Sequence, residues 1–387
     1  MGKIAIISYV THSSHLNYGA TLHGFAFQYY LKSRYGICSN IIRYVPKALA
    51  GENLKYPIIN ARGNRSIINN IIIKLNWLLG FRSNLKKWRK FNGFIDNILQ
   101  TTRKTYSYEV LLNEPNEELQ KFDMFVCEAD VIWKIQQSDN IDENFFLAFP
   151  AATESIKVAY APTVASKKMQ GDVLERFKRL TTPFAAISSR EKRGAQYLSE
   201  VLNREVPYVL DPTLLLTAAD YDHIISEPNV DRDYLLVYVC TVNDREMVKA
   251  ATEYGRTHNL KVIEISNYWL NRFVVSHEVK VDAGIEEWLG YFKNAKMVIS
   301  NSFHGVCFSI IFKKDFFVFQ RDNKDYRMQD ILESLNLENR LIPYYSKQIP
   351  KTVTAIDFSD VDTRLDILRK NSDDYIRQNI CNHINNH

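Results

Sequence analysis

From Tyr234 onward, short apolar runs alternate with amphipathic stretches, and this alternation restricts the fold more than any other feature. Leu235–Val239, Lys261–Ile265, Met297–Ser300 and Phe316–Phe319 read as buried strands. Asp244–His258, Ile285–Asn294 and Phe303–Phe312 read as the helices between them, with Gln329–Leu335 helical behind the last strand. Strand–helix–strand succession implies a parallel sheet with crossover helices, a doubly wound unit. The first half follows the same logic. Ile4–Ile7 is a strand, Thr11–Gly19 a polar loop, and Leu22, Phe25, Ala26 and Tyr29 recur at i, i+3, i+4, i+7 on one helix face, with Gly36 just past its end. Ile41–Tyr44, Phe122–Cys127, Val158–Ala161, Ala185–Ser188 and Tyr208–Leu210 are further strand candidates.

The expectation is an α/β protein of two Rossmann-like doubly wound domains facing across a cleft. A length of 387 residues suits two domains. Residues 1–212 form the first, with a basic helical insert at 55–104. Residues 213–350 form the second, and 351–387 a polar helical tail. The boundary falls near Asp211-Pro212-Thr213, and the cleft is the default site.

Hydrophobic residues at 46% and charged residues at 24% exclude a disordered or collagen-like chain. No stretch approaches 18 apolar residues, so a membrane-spanning helix is not expected. The N-terminus reads as a first buried strand rather than a signal peptide. Five scattered cysteines, with no CxxC pair, suit a reducing cytoplasm. The net charge of +5 is unevenly placed. Between Lys55 and Lys104 eleven basic residues face only Asp96, so this segment carries +10 and the rest of the chain −5. Its Ile/Leu stripe beside Lys86, Lys87, Arg89 and Lys90 fits a helix lying on anionic membrane, and equally a basic hairpin packed on its own domain. No recognition module accompanies the charge, so nucleic acid is not an expected partner.

The sharpest motif is Ser300-Asn301-Ser302-Phe303-His304-Gly305. A buried strand ends, capping residues follow, and a helix opens with His304 in its first turn, at the carboxyl edge of a parallel sheet. Free N–H groups there attract anions. A helix N-terminus lowers a histidine pKa and a bound polyanion raises it, so His304 is expected to hold a proton mainly when an anionic substrate is present. Arg321, Lys324 and Arg327 follow the next strand, and Arg190 follows the strand ending at Ile187; all are candidate anion ligands. Asn17-Tyr18-Gly19 marks the first strand-to-helix corner. It is neither a GxGxxG nor a P-loop. A G-x-S-x-G elbow is also missing, and His12-x-x-His15 has no third ligand nearby, so metal is not expected.

The Ser300–Gly305 run, together with Asn17-Tyr18-Gly19-Ala20, Ser188-Ser189-Arg190-Glu191 and Asp211-Pro212-Thr213, resembles the polysaccharide pyruvyl transferase family in order and spacing, from about residue 4 to 340. Tyr106–Glu109, Lys157–Ala161 and Trp288–Phe292 add to the resemblance. Two departures stand out: Glu128-Ala129-Asp130-Val131-Ile132-Trp133 replaces a usual Gly-Ser-Asp-Gln run before the tryptophan, and Pro162-Thr163 replaces a small residue and serine. The resemblance implies transfer of pyruvate from phosphoenolpyruvate onto a sugar of a surface-polysaccharide precursor, usually as a cyclic ketal. It also implies a GT-B-like arrangement and no metal or organic cofactor. It places the phosphoenolpyruvate-binding histidine at His304, the strand-end arginine at Arg190 and a downstream basic residue at Lys324; the chemistry adds Ser302 and Arg327 around the donor and makes His304 the candidate general acid. Asn17, Tyr18, Gly19, Asp130 and Trp133 fall on the acceptor or cleft side; the resemblance makes residues 1–212 the acceptor domain and 213–350 the phosphoenolpyruvate-binding domain. The implied partners are phosphoenolpyruvate and a saccharide, in its lipid-linked form a polyprenyl diphosphate, met in the cytoplasm or on the inner face of the membrane. The rival readings are a GT-B glycosyltransferase using a nucleotide sugar and a non-catalytic binding protein of the same fold.

Overall fold

The computed structural model describes residues 2–9, 16–49, 67–133, 141–164, 169–240, 244–321, 326–346, 348–350 and 354–385. The candidates His12, His15 and Lys324 and the first part of the basic insert, 55–66, lie outside these residues.

The described strands form two six-stranded sheets, parallel at every pairing. The first holds β1 (Ile4–Ile7), β2 (Ser39–Tyr44), β3 (Thr101–Tyr106), β4 (Met124–Glu128), β5 (Ile156–Tyr160) and β6 (Ala186–Ile187), in the order β3-β2-β1-β4-β5-β6. The second holds β7 (Tyr234–Tyr238), β8 (Lys261–Ile265), β9 (Glu278–Lys280), β10 (Met297–Ser300), β11 (Asp315–Phe319) and β12 (Leu341–Ile342), ordered β12-β11-β10-β7-β8-β9. In each sheet three strands grow one way from the centre and three the other. The winding reverses between β1 and β4, and again between β7 and β10. Such switch points open a crevice at the carboxyl ends of the strands.

The strands are apolar on both faces because both faces are covered. Successive side chains point to opposite sides of a sheet, so Ile4 and Ile6 enter one core and Ala5 and Ile7 another. In the second sheet Leu236, Val298 and Phe316 face the central core, while Leu235, Ile299 and Phe317 face the far side. The central core joins the two halves. It contains helix α1 (Tyr18–Tyr35), buried almost all round in its first ten residues, and the linker residues Val209 to Ile224. Asn17 caps α1 by accepting from the Gly19 and Ala20 amides, and Gly36 at φ 68° ends it in the left-handed conformation anticipated for it.

The remaining helices of the first half are α2 (Ile67–Leu79), α3 (Phe81–Ile98), α4 (Tyr108–Asn113), α5 (Gly171–Thr181) and α6 (Lys192–Leu202). Those of the second are α7 (Pro212–Leu215), α8 (Ala218–Tyr221), α9 (Arg245–Thr257), α10 (Ile285–Asn294), α11 (Phe303–Ile311) and α12 (Tyr326–Ser334), with α13 (Phe358–Ile376) closing the chain before a short π-helical and α-helical end.

Four expectations change. Tyr208–Leu210 is not a strand: only the Ser189–Tyr208 bridge pairs it, the Leu210 amide donates to Ser372 Oγ, and Pro212 has no N–H to extend a ladder. Three edge strands have no apolar run to reveal them, because an edge is half in water; β3, with sequence TTRKTY, takes residues 101–104 out of the insert and into the first sheet. The tail is not a separate body. Tyr375 donates to the Ala159 carbonyl and Tyr30 and Tyr35 to Asp373, so α13 returns to the first half. Finally, the insert does not pack only on its own domain. Phe91, Phe94 and Ile95 of α3 enter the central core, while Lys86 pairs with Asp282 and Lys90 with Glu287 of the second half. The α2–α3 break occurs at Gly80, where a Cβ would lie 2.8 Å from the Asn76 carbonyl and 2.9 Å from Trp269 Cβ.

Candidate active site

His304 stands at the switch point of the second sheet, in the first turn of α11, and the residues around it explain the motif. Ser300 Oγ donates to the Tyr238 carbonyl and accepts from the Ser302 amide. Asn301 Oδ1 accepts from the Cys240 amide, closing the gap between the ends of β10 and β7. A Cβ on Gly305 would sit 2.4 Å from Ser300 Oγ, so a glycine is required for this tight strand-to-helix turn. The opposite wall is α1. A Cβ at Gly19 would lie 1.9 Å from His304 Nδ1. The corner glycine of the first sheet thus exists for close approach of the imidazole. Asn17 and Tyr18 hold that corner: Asn17 as the cap, Tyr18 through its hydroxyl to the Ala283 carbonyl and its ring stacked 5.2 Å from Trp288.

Four residues on from Gly19, on the same helix face, is His23, which motif reading passed over. The i, i+4 spacing is the signal that could have found it. Its Nδ1 lies 2.8 Å from Glu128 Oε1 and its Nε2 3.8 Å from Asp130 Oδ2, all three groups buried. The rings of His23 and His304 lie 6.1 Å apart and 25° from parallel. Asp130 follows β4 at the switch point of the first sheet. Both Ala129 (φ 46°) and Asp130 (φ 58°) occupy left-handed backbone that costs a non-glycine residue on the order of 1–3 kcal/mol. This strained turn falls at the stretch that departs from the usual family run.

Arg190 joins the two edges. Its side chain, without solvent exposure, donates to Asp130 Oδ1 at 3.0 Å, Asp211 Oδ2 at 2.6 Å and Thr163 Oγ1 at 2.8 Å, and its guanidinium lies over the Phe303 ring. Thr163 therefore retains the hydroxyl function of the serine it replaces. Asp211 in turn accepts from the Thr213 amide and hydroxyl, and its Oδ2 lies 3.7 Å from His304 Nε2. A continuous chain results: Glu128, His23, Asp130, Arg190, Asp211, His304.

The charges are separated along it. Burial opposes protonation of His23, but Glu128 and Asp130 overcome this and raise it to about 10. Burial lowers His304; Asp211 partly restores it, while Arg190 and the charged His23 push it further down. The 3.7 Å contact is too long for a hydrogen bond, so burial governs. The direction matches the sequence-based expectation, although the cause is the enclosed position and its cations more than the helix end. Burial alone would raise Asp130 and Asp211, yet the histidines and Arg190 hold both below the usual carboxylate range. One histidine charged and the other neutral is the arrangement that divides fixed electrostatics from mobile proton chemistry. Neither Nε2 has a hydrogen-bond partner among the described residues.

The other candidates fall as follows. Ser302 is buried at the start of α11. Arg327 is half-buried in α12, its Nε 3.9 Å from Glu191 Oε1, beside Arg190. Trp133 is a core residue: fully buried, stacked on Phe146 and donating to the Phe145 carbonyl, it presents no face to a ligand. Lys87, counted with the surface charge, is instead buried, 4.5 Å above the Tyr18 ring and bonded to Asn267 Oδ1, and burial pushes it down to about 7. Among the described residues no group of three His, Cys, Asp or Glu side chains is placed to hold a metal ion.

Two Rossmann-like units meeting at their switch points define the GT-B class of α/β protein. Solved structures similar along the chain include S. aureus MnaA with UDP (11% identity, 97% of this chain and 88% of that chain, TM-score 0.48). A putative UDP-N-acetylglucosamine 2-epimerase from Listeria monocytogenes is 10% identical over 97% and 90% of the two chains (TM-score 0.46). E. coli heptosyltransferase WaaC with ADP-2-deoxy-2-fluoro heptose is 11% identical over 95% and 99% (TM-score 0.35). No curated protein matches the sequence. The model of the polysaccharide pyruvyl transferase family matches residues 17–323, and the chain belongs to that family.

Three outcomes follow from this geometry. Gly19→Ala lowers unfolding free energy by about 1–3 kcal/mol in denaturant titration, the cost of overpacking against His304. Arg190→Met leaves two buried carboxylates without their cation and costs about 3–5 kcal/mol, much of it recovered when Asp211→Asn is added. His23 has a raised folded pKa, so its stabilising contribution is complete below about 6.5 and disappears as pH rises through about 10. The stability difference between the parent and His23→Gln therefore narrows on that alkaline side, which denaturant titrations between neutral pH and pH 10.5 will read (~10.5, above the raised value).

Proposed function

We propose that this transferase moves pyruvate from phosphoenolpyruvate onto a sugar of a surface-polysaccharide precursor, closing a cyclic ketal. The observation that carries the reading is a neutral, buried His304 at the second switch point, whose Nε2 has no hydrogen-bond partner among the described residues, in a chain of the pyruvyl transferase family. A donor carrying both a phosphate and a carboxylate, held at the α11 N-terminus near Ser302 with Arg327 as a further ligand, raises the His304 pKa and loads it with a proton. His304 gives that proton to the methylene carbon C3, and C2 becomes electrophilic. A sugar hydroxyl oxygen bonds to C2 and releases its proton to the now neutral imidazole. The C2–O bond to phosphate then breaks, and a second hydroxyl closes the ketal as its own proton leaves with the phosphate. Arg190, expected as a donor ligand, has no solvent exposure and is held by two carboxylates, so in this scheme it keeps Asp211 and His304 in register. Lys324 is the remaining donor ligand in this scheme. The reaction uses no metal or organic cofactor and runs in the cytoplasm.

The test compares ligands and proton flow. Phosphoenolpyruvate raises the unfolding midpoint, and UDP does not. Its binding, followed by calorimetry in buffers of different ionisation enthalpy, takes up a proton above neutral pH, and His304→Gln abolishes that uptake. The same variant folds but loses about 10²–10⁴-fold of acceptor-dependent phosphate release. Mass spectrometry of lipid-linked oligosaccharides treated with enzyme and phosphoenolpyruvate shows one added pyruvyl ketal. Protection by UDP alone would replace this reading with a nucleotide-sugar glycosyltransferase.

A further inference from the structure

Helix α2 is amphipathic the wrong way round for water. Its buried polar residue, Asn76, donates to the Asn267 carbonyl and accepts from the Leu270 amide, fastening the helix to the second half. Five of its aliphatic residues face out: Ile71, Ile72, Leu75, Leu78 and Leu79 are 43–63% exposed. Directly beside it, at the end of the 3-10 turn Trp269–Phe273 to which α2 is fastened, Phe273 and Val274 are 73% and 67% exposed. Seven of the twelve exposed large apolar side chains among the described residues are gathered on these two adjoining elements. Scattered exposed aliphatics need no explanation, but a patch contributed by two distant segments does.

The charge around the patch selects what covers it. On α3, Arg82 and Arg89 are exposed at i, i+7, with Lys86 between them paired to Asp282, and Lys74 flanks the aliphatic row of α2. Across α2 and α3 the single acidic residue is Asp96, already paired with Arg43. An apolar row next to a cationic row with almost no acid matches the boundary of an anionic bilayer, where aliphatic side chains enter the acyl region and the cations meet phosphates. An acidic protein would also meet the cations, but the outward aliphatic row beside them fits the acyl boundary of a bilayer.

We infer that α2, with Phe273 and Val274, seats this protein on an anionic lipid surface, and that the α3 cations hold it there. The seat lies beside the site. The same α3 places Lys87 over the ring of Tyr18, whose neighbour Gly19 touches His304. The membrane contact does not rest on the proposed transfer reaction.

The full chain is sedimented with sucrose-loaded vesicles. It goes down with phosphatidylcholine–phosphatidylglycerol vesicles at low salt, is partly released at high salt, and stays in solution with phosphatidylcholine alone. Leu75→Glu combined with Leu78→Glu abolishes sedimentation. Arg82→Ala combined with Arg89→Ala lowers the partition coefficient roughly 30-fold. All four side chains are exposed, and an unchanged unfolding midpoint verifies that the variants fold. Failure to sediment at low salt overturns the inference, as does sedimentation that both double variants leave intact. A dimer in sedimentation velocity that Leu75→Glu with Leu78→Glu dissolves, without vesicle binding, assigns the patch to a second copy instead. Vesicle binding without phosphoenolpyruvate-dependent stabilisation sinks the transfer reading and leaves the membrane seat standing; the reverse result does the opposite.

Discussion

A guanidinium without solvent contact, Arg190, holds the junction of this molecule. A buried cation persists only where its charge and donors are met. Here Asp130, at the switch point of the first sheet, and Asp211, at the linker into the second, meet them. Because Asp211 also lies against His304, the geometry of the candidate acid depends on the same pairing. The two histidines are then driven apart in charge by their places on this chain of ionisable groups: His23 beside two carboxylates, His304 beside one carboxylate and two cations.

The insert gains a structural meaning from the same junction. Its net charge of +10 is partly spent on Asp282 and Glu287 of the second half, so α3 fastens the two halves together. What is left over, the outward aliphatic row of α2 and the exposed cations of α3, is a surface with a different use. The charge asymmetry thus divides into an internal clasp and an external face, and no description by net charge distinguishes them.

Much of the site was legible because strand-to-helix corners carry strict local demands. Gly305 has to accommodate Ser300 Oγ, which accepts from the Ser302 amide as β10 ends, so the Ser300–Gly305 run announces itself. His23 was not legible, since a histidine within a helix becomes part of a site only when Glu128, a hundred residues away, is brought to it. Trp133 and Lys87 read the other way: an aromatic near a strand end proved to be core, and a lysine within a basic run proved to be buried. Side-chain type does not encode burial where a helix face is chosen by distant packing.

By itself the sequence determined the two doubly wound sheets, the position of His304 in its helix and the family, because these depend on periodicity and on short-range backbone geometry. The tertiary structure decided which cations are already paired, which way α2 presents its apolar face, and which histidine is charged. These depend on contacts between residues far apart in the chain, where burial and the summed field of several groups outweigh anything a local pattern records.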